Sequence, residues 1–166
     1  MHQPKHPPGF HLVRRDQLMQ EAVHDTYQHM AKLPEPTVCP ECGAVFHQGR
    51  WQWMERPAKS HKTVCPACQR ISDRFPAGYV LLSGGFLNTH EAEIAQLLRH
   101  HEEKEKAEHP LQRIMEVTRT EHGLEVTTTG IHLARALGDA LHHAYQGTLE
   151  YHYNPDQMLL RVSWLR

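Results

Sequence analysis

All four cysteines of the chain fall in two matched knuckles, Cys39-Pro40-Glu41-Cys42 and Cys65-Pro66-Ala67-Cys68, separated by residues 43 to 64. Two C-x-x-C pairs at about this spacing are the pattern of a structural tetrahedral Zn²⁺ site. Two intervening residues let one tight turn aim both sulfurs at a point, and a proline after the first cysteine pre-sets that turn. Disulfides would need an oxidising compartment, and the chain shows no export signal. A thioredoxin-like motif uses one such pair at a helix start, not two. A rubredoxin-like iron site or an iron–sulfur cluster could use the same cysteines, so the sequence favours zinc without closing that alternative. His47 and His61 lie nearby in the chain, but four thiolates already fill a tetrahedral shell, so they read as polar hairpin residues.

Between the knuckles the pattern is a hairpin. Ala44-Val45-Phe46-His47 is one strand, Gln48-Gly49 the turn and Arg50-Trp51-Gln52-Trp53-Met54 the other. Alternation puts Trp51 and Trp53 on one face. Such a unit buries little area, so metal supplies most of its folding energy, on the order of 10 kcal/mol.

Composition agrees that the hydrophobic cores are thin. Leu, Ile, Val and Phe make up 34 of the 166 residues, near the level below which long segments fail to fold. Acidic and basic residues nearly cancel, 19 against 18, which argues for folded segments despite the low apolar content. The longest aliphatic stretch, Tyr79-Val80-Leu81-Leu82, is far short of a membrane span. The start of the chain has no apolar leader, so the sequence reads as soluble and cytoplasmic. Sixteen histidines are spread from His2 to His152. They serve either as generic polar residues or as a reserve of positive charge on mild acidification.

Charge is uneven beneath that balance. From Cys39 to Phe75 the bases Arg50, Arg56, Lys59, Lys62, Arg70 and Arg74 face only Glu41, Glu55 and Asp73, whereas residues 89 to 108 carry an acidic excess. A basic hairpin with aromatic residues fits phosphate contacts plus base stacking. The alternative is that the tryptophans cover the metal core while the cations solvate its rim.

Outside the knuckles, residues 1 to 12 read as disordered and 14 to 31 as a weakly amphipathic helix ended by Leu33-Pro34-Glu35-Pro36. Beyond Pro76 a buried strand at 79–83 leads to a helix with a capping box at Asn88 and Glu91. Strands follow near 111–118 and 124–128. A second helix after Thr129-Gly130 has an apolar stripe of Leu133, Leu137, Ala140, Leu141 and Ala144. A last hairpin closes around Asn154-Pro155-Asp156. The expected fold class is α+β: a four-cysteine zinc ribbon, then a ferredoxin-like antiparallel sheet with two helices. The divisions are a flexible N-terminal extension over 1–37, the ribbon over 38–76 and the α+β domain over 77–166. On the second helix, His132, Arg135, Asp139, His142 and His143 share a polar face, with Arg135 suited to a phosphate. No phosphate loop, nucleophile elbow or H-E-x-x-H motif is present.

Several segments resemble a small bacterial family of zinc-knuckle proteins: Leu33-Pro34-Glu35-Pro36-Thr37-Val38-Cys39-Pro40, Gly49-Arg50-Trp51-Gln52-Trp53, Phe75-Pro76-Ala77-Gly78-Tyr79-Val80, and the stretches 126–135 and 142–147. That family is related to the archaeal and eukaryotic large-subunit export adaptor of nonsense-mediated-decay type, whose cysteine knuckles and α/β domains bind the large ribosomal subunit. The resemblance implies a ribosome- or rRNA-binding role.

The sequence therefore points to a non-enzymatic protein in which Cys39, Cys42, Cys65 and Cys68 hold one zinc ion. In this reading Arg50, Arg56, Lys59, Lys62 and Arg135 contact RNA phosphate, and Trp51 or Trp53 stacks on a base. No membrane and no small-molecule substrate are expected. Two other classes stand beside this one: a protein-interaction or transcription-associated zinc-ribbon adaptor, and a nuclease using His132 and His142.

Overall fold

The computed structural model describes residues 6–14, 27 and 32–166. Among these residues the chain forms two sheets and three helices. The first strand, β1 (His11–Val13), pairs antiparallel with a strand near the C-terminus, described below. The stretch read as disordered thus supplies a sheet edge. Most of the helix expected over 14–31 lies outside the described residues.

The cysteine-bearing unit is built from very short pieces: β2 (Thr37–Val38), β3 (Val45–His47), β4 (Arg50–Gln52), β5 (His61–Lys62) and α1 (Pro66–Asp73). Its four strands run in the order β4-β3-β2-β5. The hairpin has the expected register, Phe46 opposite Trp51. Gln48 and Gly49 both take positive φ, 53° and 79°, the pairing that matches the twist of a two-residue hairpin turn.

The second unit comprises β6 (Gly78–Ser83), α2 (Gly85–Glu108), β7 (Ile114–Thr120), β8 (Gly123–Thr128), α3 (Ile131–Tyr145), β9 (Thr148–Asn154) and β10 (Leu159–Leu165). Alternate residues of β6, β8, β9 and β10 meet α2 and α3 in one core, with Leu87, Ile94 and Leu98 from α2 and Leu133, Leu137 and Leu141 from α3. Trp164 and Tyr151 are its largest fully buried side chains. Gly138 lets α3 approach β10, since a Cβ there would lie 2.6 Å from Val162 Cγ1.

Two expectations are corrected. The sheet is mixed, not antiparallel. Its order is β1-β9-β10-β6-β8-β7, and β10 lies parallel to β6, with Val162 opposite Val80. The β9–β10 hairpin supplies the two strands next to β6 on that side, with β1 outside them, so the strand that returns from α3 is displaced one place outward from the position a ferredoxin-like order would give it. The first long helix starts at Gly85, not at Asn88, with no side-chain cap, and is broken at His90 (φ −126°, ψ 20°). Glu91, read as a capping residue, instead forms an ion pair with Arg119 on β7. The His90 ring stacks on Phe86 at 3.8 Å.

Candidate metal centre

The two knuckles are shaped by their own backbones. In the first, the Cys39 amide donates to the Ala44 carbonyl at 2.9 Å and the Gly43 amide to the Cys39 carbonyl at 2.9 Å, with Gly43 at φ 82°. In the second, Cys65 is the N-cap of α1 and Pro66 opens the helix, so the Cys65 sulfur accepts from the Cys68 amide at 3.4 Å. A sulfur here takes the role that a serine or aspartate oxygen takes at most helix starts. The Cys65 amide also donates to Cys39 Sγ at 3.3 Å, which ties the knuckles together.

The four sulfurs lie within 4.8 Å of one another and none is in a disulfide. Cys42 Sγ and Cys65 Sγ are 3.8 Å apart. Four Zn–S bonds of 2.3 Å in a tetrahedron place sulfurs about 3.8 Å apart, so this pair is already at the separation a zinc ion requires. Cys39, Cys65 and Cys68 are buried, packed with Ala67 and covered by Trp51, Val64 and Leu111. A soft, sulfur-only donor set with this geometry fits a closed structural ion, which would leave no coordination position for chemistry.

One residue of this centre has no signature in the sequence. Arg113, 8% exposed, reaches in from just before β7. Its Nη1 donates to Cys68 Sγ at 3.2 Å, and its Nη2 to Cys42 Sγ at 3.1 Å and Cys65 Sγ at 3.4 Å. Its Nε is anchored on the Pro110 carbonyl at 2.9 Å, and its backbone amide donates to Thr129 Oγ1 at 2.9 Å. A divalent ion with four thiolates carries a net charge of −2, and a buried guanidinium with its donors spread over three sulfurs offsets half of it. The Cys42 thiol is pulled down to about 4 by the Cys65 hydrogen bond, aided by the Ala44 backbone and the Arg113 charge. The same pairing and burial push Cys65 up, and burial pushes Cys68 up. Sequence pattern places Arg113 in a strand, where nothing distinguishes it from any other surface arginine.

The residues expected to contact RNA separate into two groups. Arg50, Arg56, Lys59 and Lys62 are all exposed, on β4, β5 and the loop between them. Trp51 is half-buried, its ring 5.5 Å from Phe46 and against the cysteine cluster. Trp53 is 38% exposed, and its Nε1 donates to the Lys106 carbonyl at 2.7 Å, near the C-terminal end of α2. That carbonyl is among the last four of the helix, which lack partners within it. Trp53 therefore braces the hairpin against the second domain. Arg135 lies on α3, with its guanidinium over the Tyr151 ring. On the same helix Asp139 accepts a hydrogen bond from the Tyr151 hydroxyl. His132 is exposed.

No protein-family model matches the chain, and no curated protein or solved structure shows significant similarity to it. Among the described residues no helix is long and apolar enough to cross a membrane.

Proposed function

We propose that this protein is a non-enzymatic, zinc-stabilised RNA-docking module whose target is the ribosome or another structured RNA. One zinc ion held by Cys39, Cys42, Cys65 and Cys68 shapes the hairpin. Arg50, Arg56, Lys59 and Lys62 meet phosphates, and Arg135 adds a weaker contact from α3. The observation that carries the reading is the grouping of four exposed cations on a unit whose form depends on the metal. The resemblance to ribosome-binding knuckle proteins supports it. With Trp51 packed against the cysteines, recognition rests mainly on phosphate charge, with the exposed part of the Trp53 ring as the surface left for stacking. The test is sedimentation of lysate through sucrose gradients at low and high salt. Co-migration with ribosomal particles that salt releases is the expected result. A profile confined to the top fractions at both salt concentrations overturns the reading. Charge reversal at Arg50, Lys59 and Lys62 together should flatten the salt dependence of RNA affinity by about 2–3 in log–log slope, near 0.7–0.9 for each phosphate no longer neutralised.

A further inference from the structure

The face of the six-stranded sheet opposite the helices carries a second group of metal-ligating side chains. On β9, Glu150 and His152 are two residues apart and so project to the same side. His152 stands opposite Leu12 on β1 and Arg161 on β10, and Glu150 stands opposite Ser163. Before β1 the chain turns at Pro8-Gly9, with Gly9 at φ 91° against the Asn154 side chain. This brings His6 over the sheet, where its ring lies on that of His152 with centroids 3.6 Å apart and planes 23° from parallel. One donor atom from each of His6, Glu150 and His152 falls within 4.8 Å of the others.

Two details mark this as more than a stacked pair. The Nδ1 atoms of both His6 and His152 are shielded from solvent and have no hydrogen-bond partner. A buried ring nitrogen without a partner is costly and calls for a reason. Burial also pushes both imidazoles below the usual histidine value, which favours the neutral form that binds metals. The Arg161 guanidinium, which also disfavours protonation of both rings, lies over the Phe10 and Tyr79 rings at 5.8 and 5.4 Å. Its charge opposes a cation at this place, and the Glu150 carboxylate offsets it.

The geometry points to a second metal site, in which His6, Glu150 and His152 bind a borderline divalent transition ion and pin the N-terminal segment to the sheet. Two imidazoles and one carboxylate suit zinc, cobalt, nickel or copper, and three protein ligands leave the remaining positions to water. Donors bonded to one such ion sit about 3–3.5 Å apart, given bonds near 2.1 Å. The three donors, within 4.8 Å of one another, are near that spacing, and binding would adjust the ring positions by side-chain rotation. The site shares no residue with the cysteine centre and stands whether or not the protein docks on RNA.

The experiment uses the full chain, already holding one equivalent of zinc, titrated with Co²⁺ at neutral pH. We expect one cobalt to bind with the weak visible bands of nitrogen and oxygen ligands, without sulfur-to-metal charge transfer, and to broaden the His6 and His152 ring signals in NMR spectra. His6→Ala and His152→Ala should each weaken this binding at least about tenfold, and Glu150→Gln by less. Position 6 lies outside the hydrophobic core, so His6→Ala tests the site without unfolding the domain. Absence of a second equivalent overturns the inference. So does a second equivalent bound with unchanged affinity by His6→Ala, which would place the cobalt on other histidines.

Discussion

The two halves of this molecule hold themselves together by different means. In the cysteine unit the strands are two or three residues long, and the buried cluster is three of the cysteines plus Ala67. In the second unit, strands of six or seven residues and two long helices enclose a continuous core running from Ala77 to Trp164. The first gathers four sulfurs at one point, the second spreads many weak contacts over a sheet. What joins them is largely polar, with Arg113 on three sulfurs and Trp53 on the Lys106 carbonyl, and Leu111 of the second unit adds an apolar contact on the cysteine cluster. With Val38, Ala44 and Val45 as its buried aliphatic side chains beside the cysteine cluster, the small unit has little apolar area and keeps an exposed, cationic surface.

The largest expected effect separates the halves completely. Chelation of the metal, or Cys65→Ser, should remove on the order of 10 kcal/mol from the ribbon. Amide protection in β2–β5 should vanish while α3 and β6–β10 stay protected. Loss of both together would show that the domain depends on the ribbon and that the contrast is false. The converse is Trp164→Ala. It empties a fully buried site and removes the indole donor to the Gln146 carbonyl at 2.7 Å, at a cost of about 3–5 kcal/mol. Denaturant unfolding should show the loss in the domain transition, with metal stoichiometry at the cysteines unchanged.

Next in size is the joint. Arg113→Ala strips three sulfurs of charge-assisted donors and should lower metal affinity about 10–100-fold. Competition with a chromophoric chelator measures this. Arg113→Lys should restore only part of the loss, because one ammonium cannot reproduce the planar fork. An affinity unchanged in Arg113→Ala would mean that the guanidinium is a bystander. The smallest effect is Trp53→Phe, which deletes one hydrogen bond while keeping an aromatic ring. It should cost about 0.5–1.5 kcal/mol, read as a small shift in the ribbon's unfolding midpoint with RNA affinity nearly intact.

Legibility follows the range of the interaction. The knuckles, the Gln48-Gly49 turn, the last hairpin and the α3 stripe as far as Leu141 are set by neighbours a few residues apart, and pattern alone places them, whereas Ala144, expected in the stripe, is exposed in the last turn of α3. The start of α2 misleads because Asn88 and Glu91 mimic a capping box while Glu91 pairs with Arg119, far along the chain. β1 is invisible to pattern because its three residues carry none of their own and gain a partner only when β9 exists. Trp53 and Arg113 look like any exposed aromatic and any surface base until the chain is folded.

What the sequence determined by itself is a cluster of four sulfurs and α+β structure beside it, because cysteine spacing and hydrophobic period are local quantities. Tertiary structure decided the rest: that β10 lies parallel to β6, that an arginine from the second domain bonds to the sulfurs of the first, and that His6 rests on His152. Each of these joins residues tens of positions apart or more. Such pairings are chosen by the packing of the whole chain and by the need to satisfy buried polar groups, which no short stretch of sequence records.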